Sequence, residues 1–165
     1  PLLRNAHIVS MDTRAIRAGE MGMSDNYSPN GFTGREICAI ARYAGISENV
    51  SLFGIYESEN STQAYQLIAQ IIWYFIEGTN YRVKESPHVN KEDFTKYLVP
   101  TDAEDLVFYK SILTERWWVE GPSILSSHNK TNTPALLPCT ERDYVDACNQ
   151  HIPERWFKAY KKGFN

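Results

Sequence analysis

Asp12 closes the apolar run Ala6 to Met11, and two cations, Arg14 and Arg17, follow directly. That order reads as a buried strand running into a charged mouth. In an open α/β sheet, ligands gather at the carboxyl ends of the strands, so the Asp12 carboxylate is a candidate metal ligand or general base. Glu57 holds the matching position after a second apolar run, Val50 to Tyr56. The same residues also carry a plainer interpretation. Asp12 then caps the next turn or pairs with Arg14 or Arg17, and Glu57 pairs with one of those arginines.

Other chemistries lack their partners. His7, His88, His128 and His151 form no His-x-x-x-His frame, and Cys38, Cys139 and Cys148 form no Cys-x-x-Cys frame, so neither type supplies a zinc spacing. An odd number of scattered cysteines reads as reduced, partly buried thiols. Gly-x-Ser-x-Gly is absent, and no glycine-rich loop joins a strand to a helix. Asn26, Asn49, Asn60 and Asn129 each open an Asn-x-Ser/Thr triplet, which has meaning only in a secreted chain.

Alternating strands and helices must position the carboxylates. Ala18 to Gly31, rich in Gly, Met, Ser, Asn and Pro, reads as a loop over the first strand terminus. Thr33 and Glu36 form a capping box for a helix whose apolar face is Ile37, Ile40, Ala41 and Ala44, with Gly45 as its stop. Val50 to Tyr56 is apolar on both faces, as for a parallel strand covered by helices on each side. Ser61 or Thr62 opens a long helix with a core stripe from Ala64 to Ile76 and Gly78 as its stop. Its Trp73 and Tyr74 fall on other faces and suit a subunit or domain surface. Past Asn80 the pattern changes to two short strands, Phe94 to Val99 and Leu106 to Ile112, in a hairpin. Glu115 to Trp118 and a loop from Gly121 to Pro138 follow, then two helices over Thr140 to Asn149 and Pro153 to Lys162. The Trp117-Trp118 pair is a packing element, with an intersubunit contact as the alternative.

A resemblance to a known family is carried by these same segments. Ser10-Met-Asp12-Thr-Arg14-Ala-Ile-Arg17 resembles the Ser-Phe-Asp-x-Asp-Ala-x-Asp-Pro segment of the ureohydrolases, the arginase, agmatinase and formimidoylglutamase family. Pro29-Asn-Gly31-Phe-Thr33-Gly-Arg35-Glu36 resembles that family's Pro-x-Gly-Gly-Leu-Thr-x-Arg-Glu, and Gly54-Ile-Tyr-Glu57 its strand ending in Glu. Ile40 to Gly45, Ile72 to Ile76 and Arg116 to Trp118 are similar to segments of bacterial formimidoylglutamase-like members. The resemblance implies the C-terminal part of a three-layer α/β/α arginase-like fold with parallel strands over residues 1–78. Residues 79–165 would be a C-terminal extension, with a short hairpin and two helices, packing on the same domain.

The family's alternating aspartates bind a pair of manganese ions that activate one water. The resemblance thus implies manganese as cofactor, Asp12 as a metal ligand and Glu57 as the carboxylate under a planar amidine or guanidine substrate. The implied reaction is hydrolysis of formimidoylglutamate to glutamate and formamide. Arg14 falls where the second aspartate belongs, and Arg17 replaces the Asp before the Pro. The remaining family ligands lie upstream of this chain, so this fragment alone is expected to be inactive. The competing expectation is a catalytically silent binding or structural protein on the same fold, with Arg14 and Arg17 as a fixed cationic patch in place of metal charge.

Composition narrows the partners. The chain has 165 residues, 42% hydrophobic and 13% aromatic, enough for a buried core. Its 17 Lys and Arg against 20 Asp and Glu leave no basic footprint for nucleic acid. The longest apolar run is interrupted by Gln70 and is too short to cross a bilayer. The expected setting is cytoplasmic, with no membrane partner. The opening at Pro1, close to a strand, suggests that an N-terminal part of the same protein precedes it, and the resemblance implies a homo-oligomer.

Overall fold

The computed structural model describes residues 2–22, 29–58, 60–102, 104–122 and 134–162. The chain divides into two compact units, Leu2–Lys84 and Glu85–Asn165. It is a mixed α/β protein with two separate sheets, one of two parallel strands and one of four antiparallel strands.

In the first unit β1 (Ile8–Asp12) is followed by a helical turn α1 (Ala18–Met21) and helix α2 (Gly34–Ile46). Strand β2 (Leu52–Tyr56) and helix α3 (Thr62–Thr79) complete it. The strands pair in parallel from Ile8 opposite Leu52 to Asp12 opposite Tyr56. A parallel pair needs a crossover, and α2 supplies it. Thr33 and Glu36 form the expected capping box at the start of α2, and the Ser61 side chain caps α3 through the Ala64 N–H.

One face of the parallel pair is covered. Met11 is buried with Ile37, Cys38 and Ala41 of α2 and Ala64, Leu67 and Ile71 of α3, while Phe53 and Ile55 pack against that cluster. Phe53 stacks on Phe75 with ring centroids 4.7 Å apart. The opposite face is open: Ile8, Leu52 and Tyr56 are 63%, 50% and 51% exposed. Of the two helix layers expected, the described residues supply the one on the covered side. An unbroken apolar run cannot distinguish a strand buried twice from one buried once. Tyr74 packs against the core, while Trp73 on the same helix is 59% exposed.

The two glycines expected as helix stops have another role. Gly45 and Gly78 are the penultimate residues of α2 and α3, as expected of stops to within a residue, and there a methyl on Gly45 would meet the Phe75 carbonyl and one on Gly78 the Arg42 carbonyl. The helices therefore touch backbone to backbone. Gly45→Ala or Gly78→Ala is expected to lower stability by about 1–3 kcal/mol through overpacking. Gly19→Ala, with no atom within 4 Å of the added carbon, is expected to be neutral or slightly stabilising; urea titrations of the three variants check this.

The second unit is built on β3 (Phe94–Val99), β4 (Leu106–Ser111), β5 (Trp117–Glu120) and β6 (Leu136–Cys139), adjacent in that order. Helices α4 (Glu141–Cys148) and α5 (Glu154–Lys162) follow. The expected hairpin exists, but it is half of a larger sheet, because Trp117–Glu120 and Leu136–Cys139 are strands. Both have only four residues, and Pro138 argues against a strand unless that strand lies at an edge. It does, since β6 closes the sheet. Of the two loops read from sequence, residues 23–28 and 123–133 lie outside the described residues, as do Asn26, His128 and Asn129.

Alternation along these strands gives the sheet two different faces. Val99, Leu106, Phe108, Trp117, Val119 and Cys139 join Ala147 of α4 and Trp156 of α5 in a buried core. Tyr144 stacks on Trp117 at 5.0 Å and meets Phe108 edge-on at 5.5 Å. Trp118, on the other face, packs edge-on against Phe94 at 5.4 Å. The Trp pair is thus internal packing, with both residues under 10% exposed (6% and 7%).

A buried carboxylate anchors the turn between β4 and β5. Glu85, its side chain 6% exposed, accepts hydrogen bonds from the hydroxyls of Ser111 and Thr114 and lies 3.8 Å from Arg116. Removing such a partner leaves Arg116 and two hydroxyls without it, at a cost of about 3–5 kcal/mol. Glu85→Ala is expected to lose stability on that scale in denaturant titration, and Glu85→Gln less.

Among the described residues no helix is long and apolar enough to cross a membrane.

Candidate functional site

The parallel register places Asp12 beside Tyr56, so Asp12 and Glu57 stand at neighbouring strand ends, as the sequence suggests. A buried side chain ties those ends together: the Thr13 hydroxyl donates to the Glu57 carbonyl. Glu57 takes φ 59°, a left-handed conformation that costs a non-glycine residue roughly 1–2 kcal/mol. Glu57 itself is exposed.

Arg14 occupies the Asp12 carboxylate. Its Nε lies 3.0 and 3.1 Å from the two carboxylate oxygens, its Nη2 2.5 Å from Oδ2, and its backbone N–H donates to Oδ1 at 2.9 Å. One side chain thus caps the short turn after β1 and grips a guanidinium as a two-pronged pair. These hydrogen bonds, side chain first and backbone second, hold the Asp12 carboxyl below the usual aspartate range. Arg17 is turned elsewhere: its Nε donates to the Gly31 carbonyl at 2.9 Å, and its backbone N–H to the Phe32 carbonyl at 3.0 Å.

A manganese pair does not fit these donors. Hard dications require several oxygen or imidazole ligands, and among the described residues no group of three or more His, Cys, Asp or Glu could hold a metal ion. Both Asp12 oxygens already face Arg14, and His7 precedes β1, at the far end of the strand. Compared with known proteins, the chain matches no family model, no curated protein and no solved structure.

A second constellation escaped the sequence reading. A cavity of about 290 Å³ in the Glu85–Asn165 unit is lined by Pro87, His88, Lys91, Phe94, Lys96, Tyr109, Glu120 and Pro134. Register explains why strand residues meet there. Lys96 is opposite Tyr109, Tyr109 is opposite Trp118, and Glu120 lies two residues further on the same face. Tyr109 donates to Glu120 Oε1 at 2.5 Å, and the Lys96 ammonium lies 5.9 Å from the Tyr109 ring centre. Burial, then the Glu120 hydrogen bond and charge, push the Tyr109 hydroxyl well above its ordinary range. It therefore remains a protonated donor at physiological pH. His88 Nε2 lies 3.0 Å from the Pro134 carbonyl; a carbonyl only accepts, so Nε2 donates. The signal was present in the period-two alternation of the hairpin, which sets Lys96 and Tyr109 side by side.

The Asp12 pair has a pH signature. A depressed carboxyl contributes stability above its unfolded-state pKa, and that contribution is lost as pH falls through the folded value. A carbon-detected NMR titration is expected to show Asp12 protonating below an ordinary aspartate, and Arg14→Ala returning it toward about 3.9.

Proposed function

We propose that the chain is the C-terminal portion of a catalytically silent ureohydrolase-like protein, a cytoplasmic binding or structural protein on a three-layer α/β/α scaffold. The observation that carries this reading is the Asp12–Arg14 pair. Where the family places a second acidic ligand, this chain has a cation that fills the first ligand's oxygens. A guanidinium there repels the divalent ions that the motif would otherwise gather.

Three features support the scaffold. The parallel β1–β2 pair carries both motif residues at its carboxyl ends, the capped helix α2 follows the motif in the order the resemblance implies, and the uncovered Ile8, Leu52 and Tyr56 face suits further layers from an N-terminal part of the same protein. Parallel sheets are covered on both sides in such folds. Cys38, Cys139 and Cys148, none of them in a disulfide, fit a reducing compartment.

The rival reading is the manganese-dependent amidine hydrolase, with Glu57 under the substrate. Manganese content by elemental mass spectrometry, measured with formamide release from formimidoylglutamate, separates the two. For the 165-residue chain and any longer natural form containing it, the expected result is less than one manganese per chain and no turnover. Stoichiometric manganese with turnover would overturn the silent reading.

A further inference from the structure

The cavity on the outer face of the four-stranded sheet is lined by side chains of opposite charge. Lys91 and Lys96 stand at its lining, and among the described residues neither has a carboxylate in ion-pair range. Glu120 belongs to the same lining, its position set by the Tyr109 hydroxyl. Pro87, Phe94 and Pro134 supply apolar wall, and the Pro134 carbonyl holds His88 Nε2. Two lysines against one glutamate leave the lining richer in cationic side chains.

The geometry points to a binding site for a small zwitterion of net negative charge, the chemistry of an acidic α-amino acid. Two ammonium groups suit two carboxylates, and Glu120 suits one protonated amine. A volume of about 290 Å³ lies at the small end of ligand cavities and suits a small metabolite. A simple anion satisfies the lysines but leaves Glu120 facing like charge. A cation satisfies Glu120 and is repelled by the lysines. Only a molecule carrying both signs uses the whole lining. This site lies in a different unit from Asp12 and stands or falls independently of the silent-scaffold reading.

The test is amide NMR on the full 165-residue chain, with L-aspartate as the probe and L-asparagine, succinate and inorganic phosphate as comparison arms. Aspartate is expected to shift the amides around Lys96, Tyr109 and Glu120 saturably, with asparagine and succinate each about tenfold weaker, one charge-assisted contact having been lost. Lys96→Gln, an exposed substitution, is expected to weaken aspartate about tenfold with the spectrum otherwise intact. Glu120→Gln is expected to weaken aspartate more than succinate. Arg14→Ala is expected to leave binding unchanged, which separates this site from the strand terminus. Absence of saturable shifts overturns the proposal, as does binding indifferent to Lys96→Gln. Equal binding of succinate or phosphate overturns it as well, reducing the cavity to a generic anion site.

Discussion

A single carboxylate decides what the end of β1 can do. Asp12 accepts the N–H of the turn that follows and, with the same two oxygens, holds the Arg14 guanidinium. A carboxylate has about four lone-pair sites, so these bonds commit most of what a metal ion would use. The neighbouring strand end is fixed with it, because buried Thr13 donates to the Glu57 carbonyl where the backbone turns left-handed. The two candidate site residues are therefore brought together by the fold but organised around a cation from the chain itself.

Each unit reaches a defined core by different means. In Leu2–Lys84, close helix contact through Gly45 and Gly78 presses α2 and α3 onto one side of the parallel pair. In Glu85–Asn165, stacked Tyr97, Trp117 and Tyr144 fill the space between sheet and helices, and the buried Glu85 holds the β4–β5 turn. Aromatic stacking fills one face of that sheet, and the other carries the Phe94–Trp118 pair beside the polar Lys96, Tyr109 and Glu120. Alternation is what allows one short sheet to serve both purposes.

Much of this was legible beforehand. Capping residues Thr33, Glu36 and Ser61 marked helix starts to within a residue, because the cap is a local interaction. The long strands β3 and β4 declared themselves by composition. What failed depended on tertiary context. Strands β5 and β6 are too short for periodicity and one contains a proline, so only their sheet partners reveal them. Gly45 and Gly78 mark the helix ends to within a residue, but their backbone contact across the helix pair joins residues distant in sequence and so was hidden. The open face of β1–β2 was hidden by an unbroken apolar run. For the site, both interpretations of Asp12 were present in its spacing, and the structure places it as a cap and an arginine partner. His88 and Glu120 could be joined only once the sheet register was known.

The direct test of the Asp12–Arg14 pair is a crystal of the full chain grown with excess manganese, with anomalous diffraction recorded at the manganese edge. The expected map has no anomalous peak within ligand distance of Asp12, with the Arg14 guanidinium density lying across both carboxylate oxygens. An anomalous peak bound to Asp12, with Arg14 swung aside, would contradict it.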